Sequence, residues 1–376
     1  MDIQQYIELI FSNYTARIVM LGTAILGAIC GMLGSFAVLR KQSLLGDAIS
    51  HAALPGIAIA FLITGVKDSN LFLLGALVSG LIGTFWIRSI TKKTHLKSDT
   101  ALGLTLSLFF GFGMLLLTFI QKQPNASQAG LDTYLFGQAA TLLAKDVWLI
   151  AIVAGIALLI LLVFWKEFKI LLFDEEYTKT LGFNTRFIDI LITTFIVITI
   201  VLGLQTVGVI LMSAMLLAPA AAARQWTNSL ENMIILAAIF GAFSGVFGTG
   251  ISTVIGNLST GPVIVLVAAG IVLLSFIFSP KRGLLFREIR FRKNRNNIKM
   301  QKTLAFMYDI AKTHENISHP HAIKILNGFQ GFSKRSLQKL VDLNYVQING
   351  QQWSMTKEGY TTASNLYNQQ VDNLHE

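Results

Sequence analysis

An aspartate and a histidine four residues apart, Asp47 and His51, sit in an apolar stretch running from Gly31 to Gly56. On a helix that spacing places both side chains on one face, so a carboxylate and an imidazole converge. Together they suit zinc, manganese or iron, whereas a copper(I) path would use thiolate and thioether ligands. Two ligands are too few, but two copies of the chain paired about a two-fold axis would bring four to that axis. The same pair would also serve a proton relay. Two structural roles stay open beside these: Asp47 held by Arg40 or Lys41, and His51 bonded to a backbone carbonyl. An aspartate at the centre of a membrane helix costs roughly 2.5–3.5 kcal/mol on insertion scales, so an ionisable residue there points to function. Of the six histidines, His51 alone lies in an apolar span.

The elements that must position this pair are membrane helices. The 376 residues are 53% hydrophobic and 13% charged, against roughly a quarter charged in soluble domains. Apolar runs near the ~20 residues that cross a bilayer predict nine spans, near 16–39, 48–65, 71–90, 100–120, 147–165, 187–203, 205–223, 233–256 and 262–279. Eight spans result if one is a half-helix. Basic residues at Arg40–Lys41, Arg88–Lys97, Lys166–Arg186, Arg224 and Lys281–Lys302 fall on one side if the N-terminus is outside and the C-terminus cytoplasmic. The loops on the other side, Val66–Asn70, Gln121–Gly130 and Asn257–Gly261, are short and nearly uncharged. No cleavable signal peptide is expected, because Met1 to Tyr14 is polar and mildly acidic. Glycines such as Gly27, Gly31, Gly241 and Gly245 recur at intervals that let helix backbones approach closely. The single cysteine, Cys30, forms no internal disulfide. No phosphate-binding G-x-x-x-x-G-K-[ST] loop occurs, so ATP hydrolysis would fall to a partner.

The net charge of +10 is concentrated in the tail. Lys281 to Lys302 holds nine basic residues against one acid, Glu288, as expected of a segment beside anionic lipid. The sequence divides into a transmembrane domain 1–285, a basic juxtamembrane linker 286–299 and a small domain 300–376. In the last, Met300–Lys312 has helical periodicity and His321–Asn327 reads as a second short helix. Ser333–Leu343 reads as a third, with Ser333 as N-cap. Strands Tyr345–Ile348 and Gln352–Met355 are joined across Asn349-Gly350, a hairpin signal. Three helices and a hairpin resemble a winged helix. Lys334, Arg335, Ser336, Gln338 and Lys339 of the third helix are then candidate DNA-contacting or regulatory residues. No dimerisation or metal-sensing segment stands out in this tail.

The stretch Gly31–Gly56, with Arg40, Gly46-Asp47, His51-Ala52 and Pro55-Gly56, resembles the signature of zinc and manganese ABC importer permeases, the ABC-3 family. The likeness continues in order through Ser98-Asp-Thr-Ala-Leu-Gly103, Tyr134-Leu-Phe-Gly137, Met212–Ala220 and Leu258–Pro262. It implies that Asp47 and His51 ligate the transported metal. It also implies that Phe173–Phe183 is a cytoplasmic coupling segment, with Asp174, Glu175, Glu176, Tyr177, Gly182 and Phe183 facing an ATPase. By itself that segment reads as a short polar helix with an acidic first turn, closed by Gly182.

The expectation is an all-α polytopic membrane protein of the bacterial inner membrane with a small α+β winged-helix-like cytoplasmic domain. Its role would be the permease of an ABC importer for manganese, zinc or iron, with no permanently bound cofactor and no enzymatic activity of its own. Its expected partners are ABC ATPase subunits, an extracytoplasmic metal-binding protein, a second identical or homologous permease and membrane lipid. DNA is a further possible partner. A proton-coupled secondary metal transporter and a membrane-anchored winged-helix regulator are the alternatives.

Overall fold

The computed structural model describes residues 13–66, 68–122, 137, 139–255, 258–314, 318–329 and 332–372, except the side chains of residues 140 and 366–372. The polar segment before residue 13 lies outside the described residues. So do Tyr134–Phe136 of the family motif and most of the Gln121–Gly130 loop. Contacts divide the chain into two units, Met1–Gly283 and Leu284–Glu376.

The first unit is all-helical. Its long helices are α1 (Tyr14–Leu39), α2 (Leu45–Thr64), α3 (Ser69–Lys93), α4 (Ser98–Gln121) and α5 (Ala144–Val163). Two short helices follow, α6 (Trp165–Phe173) and α7 (Glu175–Thr180). Then come α8 (Thr185–Val207), α9 (Val209–Trp226), α10 (Leu230–Ile255) and α11 (Thr260–Phe278). Among the described residues, nine helices are long and apolar enough to cross a membrane. The half-helix option is therefore not realised: α8 and α9 are separate helices with Gly208 alone between them.

Because lipid tails are as apolar as leucine, these helices gain little from hydrophobic burial against one another and associate through close packing. The stripe of small residues on α1 meets that on α10: a methyl group on Gly27 would collide with the Gly241 carbonyl, and one on Gly31 with the Ala237 carbonyl. Across the same interface the Thr23 and Thr249 hydroxyls lie 3.0 Å apart. α2 is held the same way, with Gly56 against the backbone of Gly75 on α3 and Gly113 of α4 against Leu54 and Pro55. The Ser79 hydroxyl of α3 donates to the Ala52 carbonyl at 2.6 Å. α2 is thus enclosed on several sides, and Ala48, Ile49, Ala52 and Ala53 are fully buried.

The second unit begins with α12 (Leu284–Ala311), a single helix running through the segment expected as the linker 286–299. The helix has a simple cause: the basic run contains no proline or glycine, and its arginines and lysines are good helix formers. Only the later part of α12 is buried, through Leu304, Met307, Tyr308 and Ala311. The short helix expected at His321–Asn327 is a 3-10 helix, Ile323–Gly328, while its first two expected residues form strand β1 (His321–Ala322) instead. Pairing of His321 with Trp353 and Ala322 with Gln352 overrides the local periodicity. α13 (Lys334–Asp342) is capped as expected, the Ser333 hydroxyl accepting from the Ser336 N–H at 3.1 Å. Strands β2 (Val346–Asn349) and β3 (Gln352–Met355) precede α14 (Lys357–Asp372), and the antiparallel sheet has the order β1-β3-β2.

The hairpin turn is shifted by one residue from the expected Asn349-Gly350. Asn349 pairs with Gln352, leaving Gly350-Gln351 as the two turn residues. Gly350 has φ +62°, a conformation glycine adopts freely and a two-residue hairpin needs at its first central position. Trp353, 1% exposed, centres the small core with Leu340, Val346 and Met355.

The α1–α10 contact leaves no room for a side chain, so Gly241→Ala is expected to lower the thermal unfolding temperature of the purified protein. Overpacking of this kind costs about 1–3 kcal/mol. Gly155→Ala, where a methyl group meets nothing, should leave the melting temperature unchanged or slightly raised.

Candidate functional site

Asp47 and His51 occupy the first two turns of α2 and share its face, as the spacing requires. Neither structural role left open by the sequence is realised. Arg40 bonds to Asp189 of α8 instead of Asp47. The buried His51 Nδ1 has no hydrogen-bond partner among the described residues, so it bonds no carbonyl. The His51 ring meets Phe110 of α4 edge-on, centroids 4.7 Å apart. Pro55 lies one turn further on and has no N–H to donate to the His51 carbonyl, so α2 carries an extra oxygen acceptor there. The Ser50 and Thr199 hydroxyls, from α2 and α8, are likewise buried without partners. Buried polar groups are almost always paired, so such orphans need a cause. Among the described residues no group of three or more His, Cys, Asp or Glu converges as a ligand set within one chain.

Beside the start of α2 lies a feature that the sequence reading missed. Asp189 accepts from Arg40, at the end of α1, at 2.5 Å and also pairs with Arg88 of α3. One carboxylate thus joins three helices. The signal was available, since Asp189 is an acid near the start of the apolar run Phe187–Leu202. These residues line a cavity of about 650 Å³ together with Glu175, Lys179 and Arg186. Burial pushes the Arg40 guanidinium down to about 10, against the opposing pull of Glu175, so it stays cationic at neutral pH. Glu175 belongs to α7, so the cavity connects the short polar helix to the end of α1 and the start of α8.

α7 itself is built as its sequence suggests. The Asp174 carboxylate accepts from the Tyr177 N–H at 2.9 Å, and Glu175 pairs with Lys179 one turn later at 2.8 Å. The helix ends at Leu181, with Gly182 just beyond at φ +82°. Gly182 N–H donates to the Lys179 carbonyl and Phe183 N–H to that of Thr178. This is the paired-bond termination for which a left-handed glycine is suited. Asp174, Glu175, Glu176, Tyr177, Gly182 and Phe183 are all exposed. Two of them, Tyr177 and Phe183, present aromatic surface on an otherwise polar element.

In the second unit, Lys334, Arg335, Gln338 and Lys339 are exposed on α13. Ser336 is not available to a partner: it is 3% exposed and its N–H is committed to the Ser333 cap.

A polytopic helical bundle with an acid and an imidazole on one enclosed helix and a short exposed polar helix between spans defines a membrane transport permease. The ABC 3 transport family matches residues 12–279, and the chain belongs to that family. It is 51% identical over 284 residues to the zinc transport system membrane protein TroC of Treponema pallidum, covering 76% of this chain and 95% of that protein. It is 49% identical over 291 residues to the manganese transport system membrane protein MntC of Bacillus subtilis, covering 77% and 67% of the two chains. Among solved structures, PsaBC from Streptococcus pneumoniae in complex with Fab superposes with a TM-score of 0.67 at 34% identity, over 77% of this chain and all of that one.

Removing the carboxylate from the Arg40–Asp189–Arg88 cluster leaves two partly buried guanidiniums facing each other. Asp189→Asn should destabilise the purified protein by about 1–3 kcal/mol, less than for a fully buried pair because water reaches the cluster. Thermal unfolding in detergent reads this, and Asp189→Glu should recover most of the loss.

Proposed function

We propose that the chain is the membrane-spanning permease subunit of an ATP-binding-cassette importer for a divalent transition metal, manganese, zinc or iron, with Asp47 and His51 as ligands to the ion in transit. The observation that carries this reading is the buried His51 Nδ1, one helical turn from Asp47 and without a partner among the described residues. An imidazole left unbonded at lipid depth is a standing cost unless a cation visits it. The His51 carbonyl opposite Pro55 adds a hard oxygen donor, which suits manganese as well as zinc. The relatives named for zinc and manganese transport support the same class of cargo.

One chain supplies only two side-chain ligands, so the site is completed on a two-fold axis by a second identical or homologous permease. The orientation that follows the basic loops puts the N-terminus outside and the C-terminus in the cytoplasm of a bacterial inner membrane. An extracytoplasmic metal-binding protein then delivers the ion. Cytoplasmic ATPase subunits grip α7 through Tyr177, Phe183 and the acidic first turn. Their ATP cycle moves the bundle between outward- and inward-facing states, and the ion biases that equilibrium only by its differential affinity for the two. Hydrolysis belongs to the ATPase, and this chain translocates. The small α+β unit, with Lys334, Arg335 and Lys339 exposed on α13, serves as a regulatory contact to the ATPase. Salt-sensitive retention of duplex DNA by the purified chain would assign that face to nucleic acid instead.

Radiometal uptake in cells carrying Asp47→Asn or His51→Ala, with membrane expression verified, tests the site. Uptake is expected to fall at least tenfold in each. Wild-type rates in both variants would remove the proposed ligands, and uptake that survives ATP depletion but collapses with the proton gradient would favour a proton-coupled carrier.

A further inference from the structure

Three of the six histidines meet in the small α+β unit. The ring centroids of His314 and His319 are 4.5 Å apart, those of His314 and His321 4.9 Å, and those of His319 and His321 5.1 Å. A zinc ion held by imidazole nitrogens at about 2.0–2.1 Å keeps each ring centroid about 3.2 Å away, and so places three tetrahedrally disposed rings about 5 Å from one another. The ring centres have these separations, while the ring orientations differ from those of a bound site. His314 follows the end of α12 and His321 is on β1, where pairing with Trp353 fixes its backbone.

The nitrogens are prepared for the task. The Thr313 hydroxyl donates its single proton to the Ile310 carbonyl at 2.6 Å, so toward His314 Nδ1, 3.0 Å away, it acts as an acceptor. Nδ1 of His314 therefore carries the hydrogen, and Nε2 keeps its lone pair. Such an N–H partner is what usually orients a metal-bound histidine. His321 is 7% exposed, and its buried Nε2 has no hydrogen-bond partner among the described residues. The nitrogens do not yet converge as a ligand set, because His314 and His319 stack with their rings 24° from parallel. Both are exposed, so rotation about their side-chain bonds can align them.

We propose that His314, His319 and His321 form a binding site for one divalent transition-metal ion of the zinc class, with a fourth position open to water. An all-imidazole set prefers zinc to manganese, which favours oxygen ligands. The site is separate from the Asp47–His51 pair and does not depend on it.

Equilibrium dialysis of the purified full-length chain against Zn²⁺, with metal counted per chain, tests the assignment. His314→Gln and His319→Gln alter exposed side chains and leave the Trp353 core intact. Each is expected to lose one Zn²⁺ per chain, whereas Asp47→Asn retains that ion. With Co²⁺ as a spectroscopic probe, the visible absorption of a tetrahedral site should appear in wild type and Asp47→Asn and vanish in both glutamine variants. An unchanged Zn²⁺ count and Co²⁺ spectrum in both glutamine variants would overturn the site. Loss of Zn²⁺ in Asp47→Asn alone would do so as well, while leaving the membrane pair standing.

Discussion

A buried or half-buried charged or polar group must be compensated by something, and the helical unit meets that requirement in two different ways. Asp189 is answered from within the protein by Arg40 and Arg88, which ties α8 to the end of α1 and to α3. His51 Nδ1 is left unanswered on a helix that is otherwise closely packed. The first arrangement is structural, since one carboxylate holds both guanidiniums. The second is the one that the proposed metal ligation would answer, with a compensating charge that comes and goes.

Packing makes this distinction possible. α2 carries the acid–imidazole pair on a helix rich in alanine and glycine, so its neighbours approach to backbone contact and hold its orientation. The Arg40–Asp189–Arg88 cluster sits beside the start of that helix, and the cavity it lines also receives Glu175 and Lys179 from α7. α7 and the charges that join α1, α3 and α8 thus line one cavity. The termination of α7 at Gly182, with both closing bonds made, makes it a short but well-defined element and not a frayed loop.

Much of this was legible in the chain before any coordinates. Long apolar runs separated by polar loops can fold in lipid only as helices, because the backbone must satisfy its own hydrogen bonds there. Nine spans, the shared face of Asp47 and His51, the Ser333 cap and the short helix after Asp174 all follow from local pattern. The misreadings fell where nonlocal contacts decide. Strand pairing with Trp353 turned an expected helix at His321 into β1, and the register of β2 with β3 moved the hairpin turn from Asn349-Gly350 to Gly350-Gln351.

Sequence alone therefore determined which residues are helical, which helices are apolar enough to span, and which side chains share a turn, because each depends on neighbours within four positions. Only the tertiary structure decided who compensates whom. Arg40, one of the two residues left open as a partner for Asp47, is taken by Asp189, 149 positions on. His314, His319 and His321 carried no recognisable metal spacing, yet the end of α12 and strand β1 bring their rings within about 5 Å of each other. Electrostatic and coordination partners are chosen by distance in space, and helix packing and strand pairing set that distance.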